Sequence, residues 1–306
     1  MESNVSSMET PRHKAFAGHM TNTNERTILV LGGTGKTGRR IAPRLAAGGA
    51  VARAAARTGG DVRFDWHDPA THGDALAGVD AVYLVPPALR LDFPPVVGAF
   101  LDRAEAAGVR HVTFLSARGV DQAPPEVPLR AVELDLASRA GLSHTVIRPG
   151  WFMQNFSESF FQYGVAAGVL DAPTGDGAEA FVHADDIADV AAATLLDPSA
   201  HAGAGYTLTG PEALTMAEVA EQLSVAIGRP IVHAPVDRDE CTARTVAAGV
   251  PEPYAQVLAG LLDAVRSGAG STTTDDVERV TGHAPRSFAD YVADPAARAV
   301  WASVTV

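Results

Sequence analysis

The chain has 306 residues, 46% of them apolar, enough for one large α/β domain or a domain with a smaller lobe. Its net charge of -12 argues against a general nucleic-acid or anionic-membrane binder, because either class needs a basic face. Cys241 is the single cysteine, which excludes an intrachain disulfide and a multi-cysteine metal site and favours a reducing, cytoplasmic location. No apolar run is long enough to span a membrane.

Residues 1–26 are polar and lack an apolar period, so we predict a disordered tail. The next stretch, Thr27–Leu45, reads TILVLGGTGKTGRRIAPRL. Its apolar run is typical of a strand buried in a parallel sheet, and its end has the apolar spacing of a helix. Between them, Gly32, Gly35 and Gly38 allow a tight turn and close approach of a pyrophosphate to the helix N-terminus. The stretch therefore predicts a dinucleotide site.

Two alternatives bear on this loop. A glycine loop alone also occurs in tight strand-to-helix turns that bind nothing. The triplet Gly35-Lys36-Thr37 fits the end of a P-loop, but that motif needs a glycine where Val30 lies within the strand, so we exclude it. Lys36 is one of two lysines in the sequence, and the other, Lys14, lies in the predicted tail.

Strands and helices then alternate with short connections. The predicted strands are 50–57, 62–66, 79–85, 111–115 and 144–147, and the predicted helices include 95–107 and 128–140. This order predicts a doubly wound parallel sheet, a Rossmann-type α/β fold, whose ligand lies outside the carboxyl ends of the strands. Ser116 follows the fifth strand at that edge, and Pro86 and Pro87 end the fourth strand there.

Two side chains near the second and third strands bear on the choice of cofactor. Arg57 lies about twenty residues past the glycines, where an arginine favours the 2'-phosphate of NADP and an acid would favour NAD. A solvated arginine at a strand end is the alternative. Asp65 would accept a hydrogen bond from the adenine amino group, or would instead cap the helix that begins near Pro69. We therefore predict NADP(H), with NAD(H) as the alternative.

Beyond Gly150 the alternation loosens, as expected of a substrate lobe. The aromatic cluster Trp151–Phe156 directly follows a strand end and is interpreted either as a substrate pocket or as core packing. Further predicted elements are a short strand and helix over 181–196, a strand at 206–209, a helix at 215–227, a strand at 231–235, and lid helices at 251–267 and 275–280. Asp185 or Asp186 is the predicted N-cap of the first of these helices, and Thr215 is the predicted N-cap of the second. The predicted domains are 27–160, joined by 181–209, for the dinucleotide, and 161–180 with 210–306 for the substrate.

Five stretches together resemble the NmrA-like atypical short-chain dehydrogenases, over roughly Thr27–Trp301. They read TILVLGGTGKTGRRIAPRL, GVDAVYLVPP, GVRHVTFLSARG, GLSHTVIRPGWFMQNF and FVHADDIADVAAATL. The FDWHDPAT stretch at Phe64–Thr71 is further similar to the subgroup of festuclavine and agroclavine dehydrogenases of ergot alkaloid pathways. The scarcity of lysine beside abundant alanine and arginine also suggests a GC-rich bacterial genome and a secondary-metabolite pathway.

The resemblance implies roles for individual residues. The glycine loop would wrap the cofactor phosphates, Arg57 would bind the 2'-phosphate, and Asp65 would bind the adenine. Ser116 falls beside the nicotinamide and is the candidate catalytic residue. The remaining sets are Gly32, Thr34, Gly35, Lys36, Thr37 and Gly38 for the phosphates, Val85, Pro86 and Pro87 for the ribose, and Trp151, Phe152, Asn155 and Phe156 for the substrate.

The sequence departs from the family in its proton donor. Ordinary short-chain dehydrogenases use the tyrosine of a Tyr-x-x-x-Lys pair, but no lysine follows Lys36. Arg130 stands near the place of that lysine, without a tyrosine four residues before it. We expect no metal, because the histidines lack ligand spacing, and a monomer or homodimer that acts on a small molecule.

Two hypotheses remain for the activity. The first is an NADPH-dependent reductase of an activated acceptor, such as an iminium ion, a quinone or a conjugated enone, which needs no tyrosine acid. The second is a non-catalytic NAD(P) sensor of the NmrA type, whose state a partner protein reads. A reductase needs a closed apolar cavity at the nicotinamide, which the aromatic cluster could form. A sensor needs a partner surface, and the sequence shows no strong candidate for one. We therefore favour the reductase.

Overall fold

A computed structural model describes residues 25–303, so residues 1–24 of the predicted tail lie outside the described residues. The described chain contains eleven strands. In chain order they are Thr27–Leu31 (β1), Val51–Ala56 (β2), Val62–Arg63 (β3), Ala81–Leu84 (β4), His111–Leu115 (β5), Ser143–Pro149 (β6), Val169–Ala172 (β7), Ala178–Glu179 (β8), Gly205–Leu208 (β9), Leu214–Thr215 (β10) and Val232–Pro235 (β11).

Helices connect these strands and fill the C-terminal part. The N-terminal ones are Gly38–Ala47 (α1), Ala70–Leu76 (α2), Pro94–Ala106 (α3), Pro128–Ser138 (α4), Asn155–Glu158 (α5), Gln162–Ala167 (α6) and Ala184–Leu196 (α7). They are followed by Pro198–His201 (α8), Met216–Ile227 (α9), Arg238–Ala247 (α10), Glu252–Val265 (α11), Asp276–Thr281 (α12), Phe288–Ala293 (α13) and Pro295–Ser303 (α14). A short 3-10 turn spans Val120–Gln122.

The main sheet has seven parallel strands in the order β3-β2-β1-β4-β5-β6-β9. The chain runs outward from β1 to β2 and β3, then returns to place β4 on the other side of β1. This reversal opens a crevice at the carboxyl end of β1, where doubly wound folds bind their ligands. The prediction of a doubly wound parallel sheet is confirmed.

Both faces of this sheet are buried, because successive side chains of a strand point to opposite faces. On one face, Leu29 and Leu31 of β1 belong to an apolar cluster with residues of α3 and α4. On the other face, Ile28 and Val30 belong to a second cluster, with Ile41 of α1 and residues of α7. The continuous apolar run of β1 thus reflects its burial on two sides.

A third apolar cluster lies in the C-terminal part of the chain. It joins residues of α5, α6, α9, α11 and α13 with Trp301 of α14. The indole Nε1 of Trp301 donates to the carbonyl oxygen of Phe156 at 2.7 Å. Two small sheets flank this cluster, an antiparallel pair of β8 with β10 and a parallel pair of β7 with β11. The domain boundaries given above stay a prediction.

The structure differs from the predicted elements at several places. The strand predicted at 62–66 ends at Arg63, because Phe64 turns inward to stack on His72 at 4.7 Å between ring centroids. The strand predicted near 181 is a single bridge between Phe152 and Val182. Helices α5, α6, α8, α10, α13 and α14 and strands β7, β8 and β10 were not predicted. Thr215 caps α9 as predicted, through a capping box with Glu218.

The N-cap of α7 was predicted wrongly. Instead of Asp185 or Asp186, His183 holds this position, and its ring nitrogen Nδ1 accepts a hydrogen bond from the backbone N–H of Asp185 at 3.1 Å. Asp186 is unavailable as a cap because its carboxylate accepts from the guanidinium and the backbone N–H of Arg286. None of the helices within residues 25–303 combines the length and the apolar character that a membrane crossing requires.

Candidate active site

The glycine loop after β1 forms a cradle of exposed backbone. Gly32 has a φ of +64°, which glycine adopts readily, and its carbonyl accepts from Gly35 N–H at 2.8 Å. A Cβ on Gly38 would lie 2.3 Å from the carbonyl oxygen of Gly32, so only glycine lets α1 begin this close to the strand. Within the described chain, the N–H groups of Thr34, Lys36 and Thr37 donate to no carbonyl. Free N–H groups at a helix start suit the phosphates of a dinucleotide.

Two side chains of the loop are fixed by neighbours. The buried hydroxyl of Thr37 accepts from the hydroxyl of Tyr83 on β4 at 3.0 Å. Burial raises the pKa of Tyr83, although the bond to Thr37 opposes this. The ammonium of Lys36 donates to Oδ1 of Asn155 at 3.1 Å, and the carbonyl of Lys36 accepts from Arg40 at 2.7 Å. The loop is therefore tied both to the sheet and to α5.

The predicted adenosine side lies at the ends of β2 and β3. Arg57 follows β2 directly, is exposed, and has no ion pair or hydrogen bond in residues 25–303. A Cβ on Gly59 would lie 3.8 Å from the Thr34 methyl group, which places this turn against the glycine loop. Asp65 does not cap α2, whose N-cap is Pro69; its Oδ1 accepts from the N–H of His67 at 2.9 Å. Both residues remain candidates for the cofactor.

The backbone that follows β4 lies at the carboxyl edge of the main sheet. Val85, Pro86 and Pro87 follow Leu84, the last residue of β4, and that residue is in register with Phe114 of β5. Val85 and Pro86 are half-buried and Pro87 is buried. This segment leaves the sheet between the glycine loop and the end of β5, as the resemblance implies for the ribose side.

Ser116 does not have the environment of a proton donor. Its buried hydroxyl donates to Oε1 of Glu133 at 2.6 Å. Glu133 also accepts two hydrogen bonds from Arg148, at 2.9 Å each, and one from Arg130 at 3.0 Å. Burial would raise the pKa of Glu133, but the bonds from Arg148 and Ser116 outweigh it and lower the pKa. Ser116 is thus committed to a buried ion-pair cluster, which argues against a role as proton donor, while its position beside the nicotinamide stays a prediction.

The aromatic segment after β6 divides into two parts. Trp151 and Phe152 are half-buried, and Trp151 meets Phe160 edge to face at 5.9 Å between centroids. Asn155 begins α5 and faces Lys36. Phe156, in contrast, is completely buried and stacks on Phe161 at 5.0 Å. Phe156 therefore belongs to the C-terminal core, and the structure does not place it in a substrate pocket.

A buried carboxyl group lies directly behind Trp151. Oε1 of Glu179 accepts from the backbone N–H of Trp151 at 3.3 Å. The carboxyl group is enclosed by Gly150 and Gly270, since a Cβ on either would lie within 3 Å of its oxygens. Burial raises the pKa of Glu179 to about 7, against the opposing effects of the Trp151 N–H and Arg118. This acid supports the backbone of the aromatic segment.

Ion pairs connect α1 to α5 and α7 beside the glycine loop. Glu158 accepts from Arg39 at 2.5 Å and from Arg40 at 2.7 Å. Arg44 bridges Asp185 at 2.9 Å and Asp189 at 2.5 Å. Burial would raise the pKa of Glu158, but its two arginine partners lower it. The helix that follows the cradle is held in place by opposite charges on both neighbouring helices.

Sequence reasoning missed three carboxylates of this region: Glu133, Glu158 and Glu179. Glu133 lies three residues after Arg130 on one helix, and this spacing was a usable signal. Glu158 and Glu179 meet their partners only through tertiary packing, so no local pattern indicates them.

Comparison with known proteins identifies the family of this chain. A family profile described as NAD(P)H-binding matches residues 32–198, which is more than half of the chain and begins in the glycine loop. The chain belongs to the NAD(P)H-binding family. The glycine cradle of this NAD(P)H-binding protein, with its free N–H groups, fits the phosphates of that cofactor.

Two relatives are similar over nearly their whole lengths. Agroclavine dehydrogenase of Claviceps fusiformis is 35% identical over 291 residues, covering 88% of this chain and 96% of the relative. The (4-alkanoyl-5-oxo-2,5-dihydrofuran-3-yl)methyl phosphate reductase of Streptomyces griseus is 37% identical over 283 residues, covering 88% and 98%. Both support the resemblance to atypical short-chain dehydrogenases.

A solved structure agrees with this assignment. The Citrobacter triphenylmethane reductase complexed with NADP(H) superposes with a TM-score of 0.70 at 26% identity, covering 87% of this chain and 98% of the reductase. The NAD(P)H-binding protein is therefore an NAD(P)H-dependent oxidoreductase, and the expectation of an enzyme is confirmed.

Proposed function

We propose that this protein transfers hydride from NADPH to an activated small-molecule acceptor, a conjugated carbonyl compound, a quinone or an iminium ion. The observation that carries the proposal is the environment of Arg130. Its guanidinium donates to Glu133, and arginine stays protonated at neutral pH, so it cannot act as an acid. The tyrosine-lysine acid of ordinary carbonyl reductases is absent from the sequence, so an unactivated ketone would lack its proton donor.

The relatives support an acceptor of this kind. The substrate named for the Streptomyces griseus reductase contains a ring C=C bond conjugated to a ring carbonyl and to an alkanoyl group. Such a bond accepts hydride at carbon without prior protonation of oxygen, because the conjugated carbonyl takes up the charge. A role in secondary metabolism fits the resemblance to the ergot-pathway enzymes.

The residues that would form the site lie at one edge of the sheet. We propose that the glycine loop and Lys36 to Gly38 bind the pyrophosphate, and that Arg57 binds the 2'-phosphate. Trp151, Phe152 and Asn155 would line the acceptor pocket. Half-buried aromatic side chains beside a polar amide suit a flat, conjugated acceptor.

The test is a panel of acceptors offered to the purified protein with NADPH, followed by NADPH consumption and product analysis. We expect turnover with a 2-acyl butenolide, a quinone or a cyclic iminium ion. A simple ketone and a simple aldehyde should be reduced at least 100-fold more slowly, since general acid catalysis contributes about that much. Comparable rates with the simple ketone, or no turnover with any acceptor, would refute the proposal.

A further inference from the structure

The peptide unit between Lys36 and Thr37 lies directly before α1 and is held by a side chain of that helix. The first ladder bonds of α1 run to the carbonyl oxygen of Thr37, from the N–H of Ile41 at 3.0 Å and the N–H of Arg40 at 2.9 Å. The carbonyl of Lys36, one residue earlier, receives no backbone N–H within the described residues. Nη1 of the Arg40 guanidinium donates to this carbonyl at 2.7 Å.

This contact sets the direction of the Thr37 N–H. The described residues contain no cis peptide bond, and in a trans peptide unit the C=O and the following N–H point in opposite directions. Because the Lys36 carbonyl faces Arg40, the Thr37 N–H points away from Arg40. The hydroxyl of Thr37 does not cap the helix and instead accepts from Tyr83 at 3.0 Å. The N–H is thus left free for a ligand at the start of α1.

The guanidinium of Arg40 is itself held by carboxylates of two other helices. Its Nη2 donates to Oε1 of Glu158 on α5 at 2.7 Å, and its Nη1 donates to Oε2 at 3.3 Å. Its Nε lies 3.7 Å from Oδ1 of Asp185 on α7. The planar guanidinium carries five N–H bonds on three nitrogens, so Arg40 contacts the Lys36 carbonyl and both carboxylates at once.

Helix α5 is a firm anchor for this arrangement, because each of its four residues has a hydrogen-bonded partner on another element. The pairs are Asn155 with Lys36, Phe156 with Trp301, Ser157 with Tyr291, and Glu158 with Arg40. A ligand-binding group keeps its direction when the residues that support it are themselves fixed by packing and hydrogen bonds. The anchor of Arg40 meets this condition.

We propose that Arg40 is a positioning residue that directs the Thr37 N–H towards the pyrophosphate of the cofactor, and that Glu158 holds Arg40 in place. The inference rests on the proposed binding of the pyrophosphate to the glycine loop. A hydrogen bond to a charged phosphate is strong only when the N–H points at the oxygen. Without Arg40 the Lys36–Thr37 peptide unit is free to turn, and part of that bond is lost.

Arg39 offers a matched control. It also lies on α1 and pairs with Glu158, at 2.5 Å, but its side chain has no hydrogen bond to the loop backbone within the described residues. Arg40→Met and Arg39→Met therefore remove the same charge, and only Arg40→Met releases the Lys36 carbonyl. In calorimetric titration of the full chain with NADPH, we expect Arg40→Met to raise the dissociation constant about 10-fold more than Arg39→Met. Equal effects of the two substitutions would overturn the inference.

Two further variants separate direction from charge. Arg40→Lys keeps the positive charge but lacks the planar fork, so the dissociation constant of NADPH should stay raised, and full rescue would show that charge alone matters. Glu158→Gln should also weaken NADPH binding. The double variant with Arg40→Met should bind NADPH no more weakly than Arg40→Met alone, because both substitutions act through one contact. Additive losses would contradict the role of Glu158.

An NMR measurement observes the positioned group itself. With saturating NADPH, the amide proton of Thr37 should shift downfield in the unaltered chain and in Arg39→Met, and this shift should be lost in Arg40→Met. The same shift in Arg40→Met would overturn the inference. If Arg40→Met does not fold, Arg40→Lys takes its place in the comparison. If the unaltered chain does not bind NADPH at all, the proposed function itself fails, which is a different result.

Discussion

Arg57 illustrates how a single side chain sets a preference between cofactors. It follows β2, is exposed, and makes no ion pair within the described residues, so its charge is free to meet a phosphate. We expect Arg57→Ala to weaken NADPH binding about 10- to 100-fold, as loss of a hydrogen bond to a charged group costs about 1.5–3 kcal/mol. NADH binding should change little. Calorimetric titration with both cofactors tests this, and an equal loss of both would exclude the assignment.

Trp151 carries a prediction about the acceptor. Removing its half-buried indole with Trp151→Ala should lower kcat/KM for the acceptor about 10- to 100-fold, because burial of a large apolar side chain is worth about 1.5–3 kcal/mol. The backbone N–H that contacts Glu179 remains, so the dissociation constant of NADPH should be unchanged. Unaltered acceptor kinetics would remove Trp151 from the pocket.

The raised pKa of Glu179 predicts how the stability of the protein depends on pH. Its pKa in the folded chain is raised from 4.5 to about 7, so the folded state binds a proton that the unfolded state has released between these values. The free energy of unfolding should therefore fall as pH rises through this window. Glu179→Gln removes the titration, and we expect it to be more stable than the unaltered chain at pH 8 by up to about 3 kcal/mol.

Urea unfolding at pH 5 and pH 8 measures that difference. Near pH 5 the unaltered chain and Glu179→Gln should have similar free energies of unfolding, because Glu179 is then largely protonated in the folded state. A variant less stable than the unaltered chain at pH 8 would show that the ionised carboxylate is stabilised by its neighbours.

The roles of single residues were predictable where they follow from the residue type and its position in the sequence. The sequence shows that a tyrosine-lysine pair is lacking, that Lys36 is one of only two lysines, and that Arg57 lies after the second strand. The direction of the Lys36 side chain and the commitment of Ser116 to Glu133 were not visible, since both depend on residues more than fifteen positions away.

At the scale of elements, the ion-pair cluster of Glu133 connects α4 to β6. Its carboxylate accepts two hydrogen bonds from Arg148 and is almost fully buried. Glu133→Gln leaves Arg148 without its counter-charge, and we expect a loss of about 3 kcal/mol in the free energy of unfolding at pH 7. Glu218→Gln, at the exposed N-terminus of α9, serves as a control with a smaller effect.

The pH dependence of that effect has a definite sign. The pKa of Glu133 is lowered in the folded chain, so its stabilisation is present above the unfolded pKa and is lost as pH falls through the folded pKa. The difference in free energy of unfolding between the unaltered chain and Glu133→Gln, measured with urea, should therefore become smaller towards acid pH. A constant gap would indicate that the glutamine variant acts through packing alone.

Elements with strong local signals were predictable from the sequence. The apolar run and glycines of β1 and α1, and the capping box of α9, act within a few residues of one another. Strands β7 and β8 have only four and two residues, and they form because distant partners, β11 and β10, lie beside them. The weakly apolar α10 likewise packs against α11, which periodicity does not reveal.

For the whole molecule, cofactor binding should be visible as stability. A ligand that binds only the folded chain at 100 times its dissociation constant adds about 2.7 kcal/mol to the free energy of unfolding. We therefore expect NADPH to raise the urea midpoint more than NADH at equal concentration. In Arg57→Ala the two cofactors should give equal shifts. No shift with either cofactor would contradict binding at the glycine cradle.

The position of α14 affects how the protein can be altered. Trp301 donates to the carbonyl of Phe156, the residue after Asn155, so the last helix braces the segment that holds Lys36. Purification tags and fusion partners therefore belong at the amino end. We expect a chain cut before Pro295 to lose acceptor turnover while the glycine cradle still binds NADPH, and a turnover assay beside an NADPH titration measures both.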